Sequence, residues 1–419
     1  MRVLFVLLFL ISKLSLSAQK KLIFSDQAYE EQIKTILLYP ESNAPRANLL
    51  PAVAPLQQQN LLLEFDDIQD DKENYYAKLI HCNYNWTPST LKDLDFLPTY
   101  NEVTINDYQY SSGLFLPFVH YRYKIPSVKL PGNYLLIVYR NGDKNDLILS
   151  KRLMIYDGQM RLSTDRLMSG AGTLTTTNQQ LNFIINYKDM EVLNPMESVH
   201  VVIRQNQRWD NARIDVKPSF LRDDISQLEY RFFDQDKQFN AGNEYRFVDF
   251  RSLNYPGQNT GKMDRSNKPF ELFIQPDKSK EGMAYSQYPD MNGGYAIENL
   301  DYDEPTITGN YILVNFQLNS PKPVDGTVYI NGALNNWQRN EENKMTYNAA
   351  AGAYQGRMVL KQGWYNYQYW VDSKSLPGNY FEGSHFETEN YYDVLVYYRP
   401  FQPNADLLVG YFGIPVNPR

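Results

Sequence analysis

Apolar and polar residues alternate in many short runs along this chain, and turn-forming residues bound most of the runs. A period of two places successive side chains on opposite sides of an extended strand. The clearest runs predict strands at Tyr311 to Leu318, Thr327 to Asn331, Ala353 to Leu360, Tyr365 to Val371 and Tyr391 to Tyr398. Earlier runs predict strands at Leu61 to Phe65, Tyr76 to Asn83, His120 to Lys124, Tyr134 to Arg140, Leu147 to Ile155, Leu181 to Tyr187, Val199 to Gln205, Tyr230 to Phe233, Tyr245 to Phe250 and Phe270 to Gln275. The pattern predicts an all-β fold.

A turn that contains glycine and leads to a tyrosine precedes three of these strands. The three pairs are Gly132 with Tyr134, Gly242 with Tyr245, and Gly363 with Tyr365. Their glycines are 110 and 121 residues apart, close to the roughly 100 residues of an immunoglobulin-like sandwich, in which a tyrosine pins a corner near a late strand. The alternative is chance, because the chain has 34 Tyr and similar turns precede Tyr311 and Tyr380.

The spacing predicts tandem immunoglobulin-like or early-set β-sandwich domains. At 419 residues, the usual domain size of about 150 residues also favours three units. We expect an N-terminal sandwich at residues 19–158, a second with long loops at 159–308 and an early-set sandwich at 309–398. Because it contains four prolines, we expect residues 399–419 to be an irregular tail.

The N-terminus has the layout of a secretory signal peptide. A basic Arg2 precedes an apolar run, and small residues follow up to Ala18. We therefore expect cleavage after residue 18 and export, with no lipid anchor since no cysteine follows the site. No later run reaches the roughly 18 to 20 apolar residues of a membrane helix, so no membrane span is predicted.

Charge and cysteine content limit the possible partners and the ways in which the domains can be stabilised. The formal net charge is −7, and cleavage would remove Arg2 and Lys13 to leave about −9, which disfavours nucleic acid as a partner. Cys82 is the single cysteine, so no intramolecular disulfide can form and the cores must hold the domains.

No catalytic or metal-binding motif is visible. The chain lacks a nucleophile elbow, a phosphate-binding loop, a dinucleotide fingerprint and a zinc-protease helix. His81 and Cys82 are adjacent in a strand and should point to opposite faces, so they cannot form a catalytic pair. The four histidines lie in separate segments without zinc-ligand spacing. We predict a non-enzyme with no cofactor and no metal, although scattered carboxylates leave a glycosidase open.

Two acidic segments are candidates for calcium or for solvated loops. One contains Asp66, Asp67, Asp70, Asp71 and Glu73, and the other contains Asp301, Asp303 and Glu304. Clusters of carboxylate oxygens can hold calcium. The solvated-loop interpretation is favoured for both.

Tryptophans supply the candidate binding residues. In the strand at Tyr365 to Val371, the tyrosines share one face, which leaves Trp364 and Trp370 on the polar face. We predict a surface there for sugar or for protein. The alternative is that a neighbouring loop or the preceding domain covers Trp370.

The segment from Val324 to Asp372 resembles the early-set sandwich of glycogen-binding carbohydrate modules. The resemblance lies in Val328 to Trp337, in Gly352 to Tyr354 and in Lys361 to Tyr367. It implies that Trp337, with Trp364 and Trp370, binds glycan. The second hypothesis for this chain is therefore an exported carbohydrate-binding protein.

The mature chain as a whole resembles the plug proteins of the type IX secretion system. The supporting segments are His81 to Trp86, Leu130 to Tyr134, Arg246 to Phe250, Asp290 to Tyr295 and Tyr329 to Gly332. The resemblance implies a periplasmic protein at the inner face of the outer membrane, with the translocon barrel as its partner. It would close the periplasmic opening of that barrel when no cargo is bound. This is the leading hypothesis.

Overall fold

The computed structural model describes residues 20–164, 168–169, 175–231 and 238–418. The predicted signal peptide, residues 1–18, lies outside them. Over these ranges the chain is built from β-sheets and carries only short helices, which confirms the predicted class of tandem β-sandwiches. Among the described residues, no helix is long and apolar enough to cross a membrane.

The first unit is a two-sheet sandwich. Its elements are β1 (Gln27–Ala28), β2 (Ile33–Pro40), β3 (Val53–Pro55), β4 (Leu61–Asp67), β5 (Tyr75–Cys82), α1 (Asp93–Phe96), β6 (Val103–Thr104), β7 (Asp107–Tyr110), β8 (Val119–Lys124), β9 (Gly132–Arg140) and β10 (Leu147–Tyr156). One sheet has the order β1-β10-β9-β5-β6, with β3 parallel to β10, and the other has the order β2-β4-β8-β7. Leu63, Leu79 and Leu136 belong to the core between them.

The next segment contributes the strands of two further small sheets. Its elements are β11 (Arg161–Thr164), β12 (Met168–Ser169), β13 (Asn178–Gln180), β14 (Phe183–Asn186), α2 (Pro195–Ser198), β15 (Val199–Gln205), β16 (Phe220–Arg222), β17 (Gln227–Tyr230) and β18 (Phe239–Asn240). The two sheets have the orders β11-β14-β17-β16 and β12-β13-β18. Strand β15 belongs to neither and pairs with strands from the end of the chain.

The third unit is a second two-sheet sandwich, which begins earlier than predicted. Its elements are β19 (Arg246–Asp249), β20 (Thr260–Asp264), β21 (Glu271–Ile274), β22 (Asp277–Lys278), β23 (Tyr295–Ile297), α3 (Pro305–Thr308), β24 (Tyr311–Asn319), β25 (Thr327–Asn331), β26 (Thr346–Asn348), β27 (Ala353–Lys361) and β28 (Gly363–Asp372). The sheets have the orders β19-β28-β23, with β25 also on β28, and β20-β21-β24-β27-β26, with β22 on β24. Tyr365, Tyr367 and Tyr369 of β28 lie in the core between them, which confirms their predicted face.

Two of the strands predicted within residues 159–308 therefore pair with strands of the third unit. β19 pairs with β28, and β21 pairs in parallel with β24. The sequence interpretation placed both in the second domain because they precede the long loops. Their hydrogen-bonding partners lie in the third unit.

The end of the chain is a strand pair and corrects the predicted irregular tail. β29 (Asn390–Tyr398) pairs with β30 (Leu407–Val416), and β29 also pairs with β15, so that the sheet order is β15-β29-β30. Tyr392 and Val394 of β29 share an apolar core with Phe183 of β14. The second unit is therefore completed by the last strands, and the third unit is inserted within it.

Two of the three predicted tyrosine corners are present. The hydroxyl of Tyr134 donates to the carbonyl oxygen of Leu130 at 2.6 Å. In the same way, the hydroxyl of Tyr365 donates to the carbonyl oxygen of Lys361 at 2.7 Å. Each tyrosine reaches back four residues across the glycine-containing turn. The hydroxyl of Tyr245 instead lies 3.5 Å from the guanidinium of Arg208. The recurring motif is a corner in the first and third units only.

His81 and Cys82 point to opposite faces of β5, as predicted. The ring of His81 contacts Phe96 and Tyr134 on the side of the first core. Cys82 is buried in another cluster, where the first and second units meet. The two side chains therefore form no thiolate–imidazole pair.

Candidate functional site

The first and second units are joined by an apolar cluster between their sheets. Leu135 and Met154 of the first unit pack in one cluster with Val202, Leu395 and Leu408 of the second. All five are nearly inaccessible to solvent. The contact is apolar and closed to solvent, so this junction resembles the core of a domain. Apolar burial of this kind stabilises by about 25 cal/mol per Å².

The three predicted binding tryptophans all lie in the third unit, and each is covered. Trp337 is 9% exposed, and a Cβ atom added to Gly293 would lie 2.3 Å from its ring. Trp364 and Trp370 are half-buried on β28. A Cβ added to Gly378 would lie 2.1 Å from the ring of Trp370. The loop that contains Gly378 thus covers Trp370, in line with the alternative interpretation.

Every one of the five tryptophans of the chain lies against at least one arginine. The distances from guanidinium carbon to ring centroid are 4.8 Å for Arg152 on Trp209, 4.5 Å for Arg204 on Trp209, 5.5 Å for Arg152 on Trp86, 4.2 Å for Arg208 on Trp337, 5.6 Å for Arg208 on Trp370, 5.4 Å for Arg339 on Trp370, 5.3 Å for Arg46 on Trp364 and 4.9 Å for Arg251 on Trp364. A cation over an aromatic face contributes roughly 0.5 to 2 kcal/mol, and most when desolvated.

These stacks cross each of the three junctions between units. Arg152 of the first unit reaches Trp209 of the second, and Arg208 of the second reaches Trp337 of the third. Arg46 of the first unit lies over Trp364 of the third, where its Nε also donates to Glu298 at 2.8 Å. The tryptophans can be singled out from the sequence but their arginines cannot, since no local pattern links residues from different units.

The arginines occupy ring faces that a sugar would need for stacking. Trp337 in particular has Arg208 at 4.2 Å and Tyr245 at 5.8 Å. In the structure the tryptophans join units to one another. Glycan binding through Trp337, Trp364 and Trp370 stays a prediction.

A buried carboxylate joins the first unit to the third. Asp66 is 0% exposed and accepts hydrogen bonds from His120 Nδ1 at 2.7 Å, from the Tyr311 hydroxyl at 2.6 Å and from Lys361 Nζ at 2.6 Å. His120 belongs to the first unit, whereas Tyr311 and Lys361 begin β24 and end β27 of the third. The Lys361 ammonium also lies 4.1 Å from the ring centroid of Phe118.

Electrostatics keep this cluster charged. Burial alone would raise the pKa of Asp66, but the charge of Lys361 and the hydrogen bond from His120 outweigh it and hold that pKa below its usual value. Burial likewise opposes protonation of His120. Its hydrogen bonds to Asp66 and Glu64 outweigh that effect and raise its pKa above the usual value. The junction therefore contains compensated charges.

The two acidic segments do not behave as uniform solvated loops. Asp66 and Asp67 are both fully buried at the end of β4, which corrects the predicted end of that strand at Phe65, while Asp70 and Asp71 are exposed. Asp301 accepts hydrogen bonds from the Ser252 hydroxyl at 2.6 Å and the Leu253 amide at 2.7 Å. Within the described ranges, no group of three or more His, Cys, Asp or Glu is placed to hold a metal ion.

The first unit matches the model of a known protein family. Residues 33–157 match the family model of the first domain of type 9 secretion system plug proteins. The match begins at the first residue of β2 and ends one residue after β10. The first unit is therefore similar to the first domain of type 9 secretion system plug proteins, and this similarity supports a part for the chain in type 9 secretion.

A solved structure resembles nearly the whole chain. It is the crystal structure of a hypothetical protein from Parabacteroides merdae, which is 27% identical, with a TM-score of 0.88. The alignment covers 94% of this chain and 100% of the other. The arrangement of all three units is therefore shared. No curated protein matches the chain significantly.

Proposed function

We propose that this protein is a non-enzymatic plug that binds the outer-membrane barrel of the type 9 secretion translocon and closes its periplasmic opening while no cargo is bound. The observation that carries the proposal is the match of residues 33–157 to the first domain of plug proteins. The remaining residues extend that domain into a larger body of three units. A body of this kind can cover an opening that one sandwich could not.

The junctions suit a stopper because they hold the units together. The first unit is joined to the second by the cluster around Leu395 and to the third by the hydrogen bonds to Asp66. A stopper made of freely hinged domains would leave gaps as the domains moved. Interdomain motion is the usual expectation unless the interface is large and apolar, and the first junction is apolar.

Affinity purification tests the proposed partner. The tagged protein is recovered from gently solubilised envelopes, and the co-purifying proteins are identified and quantified by mass spectrometry. We expect a very large outer-membrane barrel protein in near-equal amount, and its loss when cargo fills the channel. Recovery without any outer-membrane barrel protein would contradict the proposal.

Permeability tests the closing role. A strain without this protein should admit bulky antibiotics that the intact outer membrane excludes, because an unoccupied translocon would stay open. Re-expression of the full chain should restore exclusion. If the deletion strain excludes the antibiotics as well as the parent does, the protein does not close the channel.

A further inference from the structure

A cleft of about 490 Å³ lies where the three units meet. Residues of the first unit, such as Leu37 and Lys151, line it together with Trp209 of the second and Trp337 of the third. Sites for small molecules in proteins typically measure about 300 to 1,000 Å³ and have mostly apolar walls with a few polar groups. The cleft has this size and this kind of lining.

One side of the cleft is cationic. Lys151, Arg152 and Arg204 line it, against the carboxylates of Asp26 and Glu389. Arg152 is already paired with Asp26, whose oxygen lies 2.8 Å from its Nη2. Lys151 is therefore the cation of this side that can take an anionic partner from outside the protein.

Two of these cations have N–H groups or charge that the protein itself does not fully compensate. The Lys151 ammonium donates to the amide oxygen of Asn336 at 2.8 Å, and no carboxylate of the described residues lies within 4.0 Å of it. Burial lowers the pKa of Lys151. Arg204 is 3% exposed and pairs with Asp393 at 2.7 Å, but its Nε has no hydrogen-bond partner in the described part of the chain. Lys151 is half-buried, and a cation withdrawn from water without an ionic partner is destabilised.

We propose that the cleft binds a small amphipathic anion, a molecule with one anionic group and an apolar body. The anionic group would lie against Lys151 and supply the carboxylate-like partner that this ammonium lacks. The apolar body would pack against the walls formed by Leu37, Leu49 and Met154. This binding is independent of the translocon and does not rest on the proposed plug function.

Calorimetry with three probes tests the proposal on the full chain. Decanoate has both features, decan-1-ol has only the apolar body, and inorganic phosphate has only the anionic group. We expect one saturable decanoate site per chain and binding of either other probe weaker by about tenfold or more, as the loss of one charge-assisted hydrogen bond predicts. Decanol or phosphate bound as tightly as decanoate, or no saturable decanoate site, would overturn the proposal.

Two substitutions locate the site. Lys151→Gln should weaken decanoate binding about tenfold for the same reason, whereas Lys374→Gln removes an exposed lysine and should leave it unchanged. A second readout is the quenching of tryptophan fluorescence by a brominated decanoate, which Trp209→Phe should reduce. If K151Q, with wild-type thermal stability, binds decanoate as tightly as the parent, the proposed position is wrong.

Discussion

At the residue scale, the junction between the first and third units depends on one carboxylate. Asp66 holds three donors at once, and two of them, Lys361 and Tyr311, come from a different unit. Lys361 is 295 residues away in the chain. The sequence places Asp66 directly after an apolar strand but gives no sign of so distant a partner. The acidic run therefore favours a solvated loop by sequence alone, whereas Asp66 and Asp67 of that run are buried in the structure.

Asp66→Asn should destabilise the protein by about 3 kcal/mol or more, because it leaves the buried charge of Lys361 uncompensated. Chemical denaturation measures the change in the free energy of unfolding. Asp70→Asn is the matched control, since Asp70 is exposed in the same acidic segment, and it should change stability by less than about 0.5 kcal/mol. Equal effects of the two substitutions would show that the buried pair does not hold the junction.

The pKa of His120 makes this junction sensitive to pH. Folding raises that pKa, so the stabilisation by the protonated ring is complete below the unfolded pKa of about 6.5. It is lost as the pH rises through the folded value. The stability advantage of the parent over His120→Gln should therefore shrink between pH 6 and pH 9. Denaturation at a series of pH values measures it, and an advantage that grows with pH would contradict the assignment.

At the element scale, alternation predicted about half of the strands, including most of the long ones, but missed others such as β2 and the last one, β30. β30 contains Pro415 and follows Pro400 and Pro403, which indicated an irregular tail. Proline lacks an amide hydrogen and is tolerated in a strand at the edge of a sheet. β30 is such an edge, because β29 lies between it and β15. Local pattern could not reveal this, because edge position depends on the tertiary arrangement.

Removing residues 400–419 should prevent the second unit from folding. The deletion removes β30, which pairs with β29, and it removes Leu408 from the junction with the first unit. We expect loss of soluble protein, measured by fractionation after expression. Deleting residues 418–419 alone should leave the yield unchanged. A soluble, folded product of the larger deletion would indicate that β30 is dispensable.

The tyrosine corners should each contribute about 1 kcal/mol to stability, the usual net value of a buried hydrogen bond. Tyr134→Phe and Tyr365→Phe remove only the hydroxyls that reach back to Leu130 and Lys361. Tyr110→Phe, at a position that is 51% exposed, serves as control and should be neutral. Unfolding curves that coincide for all three variants would show that the corners are incidental.

At the scale of the whole molecule, the sequence predicted three units but not how they are connected. The middle glycine–tyrosine motif, at Gly242 and Tyr245, precedes β19, which pairs with β28 of the third unit. Val199 of β15 pairs with Tyr398 of β29, which is 199 residues later in the chain, and no periodicity reports a partner at that distance. The arginines on the tryptophans were missed for the same reason.

In solution the chain should behave as one compact body. A single compact chain of about 400 residues has a radius of gyration of about 21 Å. Small-angle X-ray scattering should give a value near this, with little change between low and high salt, because the apolar junction is insensitive to screening. A much larger, salt-dependent radius would indicate that the units move independently.

The return of the last strands to the second unit also fixes when folding can finish. A ribosome releases the chain from its N-terminus, so the first sandwich is complete early, whereas β15 must wait for β29 and β30. During that interval β15 lacks the strand β29, to which its backbone is hydrogen-bonded along its whole length. The second unit therefore cannot be completed before the last residues of the chain are available, and a chain that ends before β29 would leave its middle unit unfinished.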